Sequence, residues 1–519
     1  MTRWGLLVTG LLVVSTVACT PSSPRFDGAP LVLISIDTLR ADRLPAYGYD
    51  GTATPHLDGL IADGVLFERA YAPVPLTLPS HVSMMTGRLP HRHGVRSNAG
   101  YPFDPEASVY LPRLLRDADY RLGGFVSAYP LSRAAGFGDG FDAFDDHDGF
   151  ARQIAAGIRL QRPGSETLAA ARQWLASLPS RDTVPFGLFV HFFEPHAPYE
   201  PPAYFAKGVR HPYDGEVQAA DHLVGLLLDD LRQAGLYDRA LIVVFSDHGE
   251  GLGDHGENEH GMLLYRETLQ VPLIVKLPGA LHAGERVAPP VGLIDLLPTL
   301  AQWLNLPIES DPAYAMDRID GRSLAPLLAG DTDEPAVFES RPLLAETVYP
   351  RMEMGWSELQ SAIRGPHHYV HGPAPELFDL IADPRERDDL LDRERRTAGE
   401  LRQVIREAGM AYTPPEAVSA EAEAALASLG YVGAAGATET LVDPRDKIGV
   451  YEDFRRGRQA WLDRDPEAAA AYLRGAVSAD PELTDAWKLL SIALERLGQT
   501  DEAAAARARV EALERDRGN

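Results

Sequence analysis

The chain has a single cysteine, Cys19, in 519 residues. Disulfides therefore play no part in its stability, even in an oxidising compartment where they would persist. Basic residues are also scarce, 49 Lys and Arg against 75 Asp and Glu, for a formal charge of -26. So acidic a surface argues against nucleic acid or anionic lipid headgroups as bulk partners, and serves solubility. The apolar run Leu6 to Val17 is too short for a membrane-spanning helix. With Met-Thr-Arg ahead of it and small residues before Cys19, it reads as a secretion signal. The length accommodates two or more domains, one of them large enough for a full core.

What is present is a set of chemically apt residues in three places. Thr77-Leu78-Pro79-Ser80-His81 offers a hydroxyl, Asp37 lies upstream, and Ser246-Asp247-His248-Gly249 lies far downstream. A Thr hydroxyl is a weak nucleophile unless a base or a metal activates it. Asp37, Asp247 and His248 offer two carboxylates and an imidazole, a hard-to-borderline divalent set. A cation in that set, with Thr77 beside it, would lower the hydroxyl pKa and stabilise an oxyanion. Leu31 to Ile36 and Ala240 to Phe245 are short apolar runs suited to buried parallel strands. Each ends at an acidic motif, which places the carboxylates where open α/β sheets bind ligands.

On these residues the chain resembles the sulfatase branch of the alkaline phosphatase superfamily. Further matching motifs are Thr54-Pro55-His56-Leu57-Asp58, Pro90-His91-Arg92-His93-Gly94, His191-Phe-Phe-Glu-Pro195-His196, His255-Gly256, His260-Gly261 and Glu376-Leu377-Phe378-Asp379. The resemblance implies an α/β fold: a mixed, mostly parallel sheet flanked by helices, then a small antiparallel subdomain. It also implies a hydrolase of sulfate or phosphate esters.

Several positions depart from the family. Sulfatases usually carry Cys or Ser where this chain has Thr77, oxidise it to formylglycine, and have Arg where this chain has His81. Thr cannot become formylglycine, so none is expected. Thr-x-Pro-Ser-His is similar instead to superfamily phosphodiesterases and to phosphoethanolamine-type transferases, in which Thr attacks phosphorus. Thr38 replaces the second Asp of the common Asp-Asp pair, and His191 to His196 lacks the Asp-x-x-x-His of two-metal relatives. Asp221-His222 is set aside because adjacent residues of a helix point apart. One divalent metal is expected on Asp37, Thr77, Asp247 and His248, with Ca²⁺, Mn²⁺ or Zn²⁺ all compatible. By resemblance, His81, His196 and His260 serve as catalytic groups and His191 and His255 as substrate-binding ones, holding ester oxygens and protonating the leaving group. His91 and His93 lie in a turn-like stretch and fix local structure.

The remaining organisation is modular. Residues 1–19 form the signal, and Thr16-Val17-Ala18-Cys19 resembles a bacterial lipoprotein box. That implies lipidation at Cys19 and a lipid-anchored place in the cell envelope. Residues 20–29 are a linker, 30–392 the catalytic domain with its subdomain at about 340–392, and 393–445 a linker with some helix. In 446–515, helical patterns at Tyr451–Leu462, Glu467–Val477, Leu483–Leu497 and Asp501–Leu513 repeat at a spacing of 35, as in Leu462 to Leu497. That is close to the 34 of tetratricopeptide repeats. Two repeats seldom fold alone, so they are expected to pack on the catalytic domain or on a protein partner. The expected substrate is a small-molecule, glycan or lipid ester. Hydrolase and envelope transferase share the first chemical half-reaction, and an inactive binding module is the remaining alternative.

Overall fold

The computed structural model describes residues 24–107, 109–146, 162–178, 184–308, 319–415 and 441–517. The expected signal and Cys19 lie outside the described residues, as does the rest of the linker between 416 and 440. No helix among the described residues is long and apolar enough to cross a membrane.

Nine strands form the large sheet: β1 Leu31–Ile36, β2 Val65–Tyr71, β3 Arg121–Val126, β4 Ala143–Asp145, β5 Phe186–Phe192, β6 Leu241–Phe245, β7 Gln270–Lys276, β8 Glu285–Val287 and β9 Val291–Gly292. Their order is β4-β3-β5-β1-β6-β7-β2-β8, with β9 beside β2. β7 runs antiparallel to both neighbours, β6 and β2; the other pairings are parallel. The central strands are apolar at nearly every position because helices cover both faces. Alternate residues sort by face. Leu31, Leu33, Val243 and Phe245 pack with the helix Thr77–Thr86 and with Leu296–Leu304. Val32, Ile34, Ile242 and Val244 pack with Pro55–Asp63, Gly164–Ser177 and Pro212–Gln233.

β1 lies between β5 and β6, parallel to both, with Ser35 in register with His191 and with Phe245. The carboxyl ends of three adjacent strands therefore open at one point, where the strand order reverses.

A second sheet is antiparallel, ordered β10 Leu343–Thr347, β11 Leu359–Arg364, β12 His367–His371 and β13 Glu376–Asp379. The segment expected as a linker supplies the helix Arg395–Ala408, whose Ala398, Leu401 and Ile405 bury against Ala362, Tyr369 and Leu377. This compact unit thus runs past residue 392 to Met410, which joins the same core. Among the described residues from 441 on, four helices follow: Pro444–Leu462, Pro466–Ala479, Thr484–Arg496 and Thr500–Arg517. The first starts seven residues before the expected Tyr451. Asp443 caps it by accepting from the Arg445 N–H at 3.0 Å, and Pro444 occupies the first turn.

Candidate active site

The helix Thr77–Thr86 is buried along its whole length, and Thr77 opens it. Backbone N–H groups of a first helical turn lack intrahelical acceptors and carry partial positive charge. Thr77 thus sits at a positive helix end, facing the mouth of β1 and β6. Its Oγ1 is 3.4 Å from His248 Nε2.

Asp37 follows β1 directly and Asp247 follows β6 by one residue. His248 Nε2 is 3.7 Å from Asp37 Oδ1 and 3.5 Å from Asp247 Oδ2, and the three residues form a compact, fully buried set. His248 Nδ1 lies 3.0 Å from the Gly249 carbonyl, which can only accept. The proton is therefore on Nδ1, and the Nε2 lone pair faces the carboxylates. Both oxygens of Asp37 and Oδ2 of Asp247 are buried without a hydrogen-bond partner. Burial pushes the Asp247 carboxyl well up, and the neighbouring Asp37 charge adds to this. Burial also raises Asp37, but the adjacent His191, with His196 and His248, outweighs it and holds that carboxyl low. Buried carboxylate oxygens facing one another and a bare imidazole nitrogen fit a divalent cation.

The backbone around this set is braced. Thr38 adopts φ 56°, unusual for a β-branched residue. It is held there by the Tyr213 hydroxyl, which donates to Thr38 O at 2.7 Å and accepts from Arg40 N–H at 2.9 Å. Ser246 Oγ accepts from Leu39 N–H at 2.8 Å and donates to His248 O at 2.7 Å, tying the two strand ends together. Tyr213→Phe leaves two buried backbone groups unpaired. It should lower stability by about 2–4 kcal/mol and reduce turnover as the Asp37 turn relaxes, checked by chemical denaturation alongside a steady-state assay.

His191, His196 and His260 stand at two depths. His191 lies at the end of β5, fully buried, with Nε2 3.4 Å from Asp37 Oδ2 and both ring nitrogens unpartnered. His196 and His260 sit at the less buried edge, their rings 5.0 Å apart, with His260 4.4 Å from the His248 ring. His196 is stacked on Phe193 and donates Nδ1–H to Ala197 O at 2.7 Å. His260 pairs through Nδ1 with Glu250 Oε1 at 2.9 Å. Burial pulls the His260 pKa down, but the charge and hydrogen bond of Glu250 outweigh it, and the net shift is upward.

Two expectations are corrected. His81 belongs to the floor of the cluster rather than its open edge: it is fully buried, with Nδ1 2.7 Å from Thr77 O and 3.5 Å from Asp247 Oδ2, and Nε2 2.8 Å from Ser35 Oγ. The carbonyl takes the Nδ1 proton, so Nε2 accepts from Ser35. Burial, with His191 nearby, drops its pKa to about 3. Such a ring anchors the Thr77 turn and has no lone pair or proton to spare for a substrate. His255 is not with the cluster. Its Nδ1 bonds Glu267 Oε1 at 2.6 Å, its ring stacks on Tyr265, and it lines a separate cavity of about 690 Å³ with Arg40, Arg266 and Glu386. Burial opposes its charge, but Glu267 raises its pKa to about 9.

Asp221, set aside from sequence, accepts from the Leu57 N–H at 2.8 Å and caps the helix Pro55–Asp63. His93 bonds Ser83 Oγ at 2.9 Å, a local structural link. Sequence reasoning assigned no role to Ser35 or Glu250, the groups that orient His81 and His260. Glu250 stands in the Asp247-His248-Gly249-Glu250 motif and was there to be read.

With this geometry in view, the comparisons with known proteins are decisive. Residues 30–306 match the family model described as Sulfatase. The chain belongs to the sulfatase family. It is a sulfatase-like ester hydrolase. It is 24% identical to the steryl-sulfatase of Rattus norvegicus over 72% of this chain and 87% of that one. It is 25% identical to the Delta 4,5-hexuronate-2-O-sulfatase of Bacteroides thetaiotaomicron, over 73% of this chain and 87% of the relative. The phosphonate monoester hydrolase of Agrobacterium radiobacter superposes with a TM-score of 0.60 at 21% identity, covering 74% of this chain and 95% of that one. That likeness is one of fold.

Proposed function

We propose that the chain is a metal-dependent hydrolase of sulfate or phosphate esters that uses Thr77 as its nucleophile. One observation carries the reading: the Thr77 hydroxyl lies 3.4 Å from His248 Nε2, which itself faces buried carboxylate oxygens of Asp37 and Asp247 that have no hydrogen-bond partner. A divalent cation held by Asp37, Asp247, His248 and Thr77 would supply Lewis acidity, lowering the hydroxyl pKa and neutralising ester oxygens. Thr77 Oγ bonds to the sulfur or phosphorus as its own proton is lost to solvent. The bond to the leaving oxygen breaks, and His260 or His196 at the pocket edge gives that oxygen a proton. The helix N-terminus beneath Thr77 favours the charge that builds on the transferred group. Water then cleaves the Thr77 ester and returns a proton to Oγ.

The names of the relatives support both ester classes, since steryl- and hexuronate sulfatases cleave sulfate esters and the structural neighbour is a phosphonate monoester hydrolase. Thr77 leans the balance toward phosphorus, because the formylglycine route is closed to it. An exported, lipid-anchored enzyme acting on small-molecule or glycan esters is consistent with the signal and Cys19 in the sequence. The test is a matched panel of aryl sulfate, aryl phosphate monoester and aryl phosphate diester, with metal-loaded protein. Turnover is expected on a phosphate ester above the sulfate. Turnover confined to the sulfate would contradict the leaning to phosphorus, and none on any member would count against hydrolysis.

A further inference from the structure

The C-terminal helices meet the catalytic domain at the small sheet, where Arg445 pairs with Glu376, and at a hairpin that carries His260. Residues 250–260 fold back on themselves: Gly251 N–H donates to Glu259 O at 2.6 Å, Leu252 N–H to Asn258 O at 3.0 Å and Gly253 N–H to Glu257 O at 2.8 Å. This register sets Glu250 opposite His260 at the base, where the two side chains pair at 2.9 Å. The hairpin is held from the catalytic domain by Arg40, which donates to Glu250 O at 3.0 Å and Gly251 O at 3.1 Å, and by Glu257, which accepts from the Met262 N–H at 2.7 Å; the two residues just before His260 take a further grip from outside it.

That grip comes from the helix Pro444–Leu462. Glu452 is buried, and its Oε1 accepts from the Asn258 N–H at 2.9 Å while its Oε2 accepts from the Asn258 side-chain amide. Arg455 pairs with Glu259, the residue before His260, and also donates to Glu452 Oε2 at 3.0 Å. One turn earlier, Ile448 packs on Gly256 at the hairpin tip. A Cβ at Gly256 would come within 3.0 Å of the Ile448 methyl, and the glycine has φ +86°. Consecutive residues 258 and 259 are thus held by charged side chains on one helical face (i, i+3), two positions and one position from His260.

We infer that Glu452, seconded by Arg455, is a positioning residue for His260, so that the C-terminal helices complete the active site. The inference rests on the proposed role of His260 in protonating the leaving group. Hydrogen bonds from a backbone N–H to a carboxylate are short and strong, and small displacements of a catalytic group are costly in rate.

The experiment is a double-mutant cycle in the full-length, metal-loaded chain, read on the aryl ester it turns over best. Glu452→Ala should lower kcat about tenfold with KM within about twofold. In a His260→Ala background, the same substitution should cost less than about twofold, because the group it positions is gone. Equal losses in both backgrounds, or no loss in the wild-type background, would overturn the inference. Should Glu452→Ala fail to fold, Glu452→Gln keeps an acceptor for the Asn258 N–H and should show a smaller kcat loss with the same dependence on His260. The underlying reading fails separately: His260→Ala with undiminished turnover removes the role of His260 itself. A slow His260→Ala beside a fully active Glu452→Ala removes only the positioning.

Discussion

Thr77→Ala should lower turnover by about a thousandfold or more while leaving the fold intact. The hydroxyl contributes little to stability: its 3.4 Å approach to His248 Nε2 is a weak interaction worth at most about 1 kcal/mol. Loss of activity and retention of the melting temperature therefore separate cleanly. Thr77→Ser keeps an oxygen at the same helix position and should retain measurable turnover. His81 behaves differently because it holds the Thr77 carbonyl and Ser35. Replacing His81 should lower both activity and stability, since a buried ring with two satisfied nitrogens is lost.

The second large effect concerns the acidic cluster. Asp247 Oδ1 is satisfied by the N–H groups of His248 at 3.0 Å and Thr38 at 3.3 Å, but Oδ2 has no partner and is buried near Asp37. A cation bound to the folded state alone stabilises it by about 2.7 kcal/mol at a hundred times its dissociation constant. Wild-type protein stripped by chelator should accordingly melt a few degrees lower than the Mn²⁺- or Ca²⁺-loaded protein, and should lose activity until metal is restored. Asp247→Asn keeps the Oδ1 acceptor and replaces the Oδ2 ligand with an amide that binds a cation poorly. It should melt no lower than the stripped wild type, show almost no metal-induced shift, and lose turnover about a thousandfold. A metal shift in Asp247→Asn as large as in wild type would place the cation elsewhere.

Much of this architecture was legible before any coordinates. The strands Leu31–Ile36 and Leu241–Phe245 read as buried because both of their faces are covered, leaving no polar alternation to confuse the pattern. The acidic residues just past their ends could be placed at the sheet's carboxyl edge for the same reason. Distance and depth were not legible. His255 and His260 are five residues apart, but the hairpin ladder puts one at the tip and the other at the base. The tip residue turns away with φ 50° and stacks on Tyr265. His81 lies four residues after Thr77, one helical turn deeper, and a helix buried on every side gives no sequence sign of which face looks into the pocket. The helix Arg395–Ala408 was obscured by its arginines, although Ala398, Leu401 and Ile405 hold the helical spacing that seats it on the small sheet. Nothing local to Glu452 announces that it grips a hairpin nearly two hundred positions upstream.

The covalent role of Thr77 is tested most directly by rapidly quenching metal-loaded enzyme during turnover of a slow aryl ester and mapping modified peptides by mass spectrometry. The account predicts a phosphoryl or sulfuryl group on Thr77 that appears with a burst of released phenol and is absent from Thr77→Ala. Modification of a different residue, or sustained turnover by Thr77→Ala with no adduct on the chain, would contradict it.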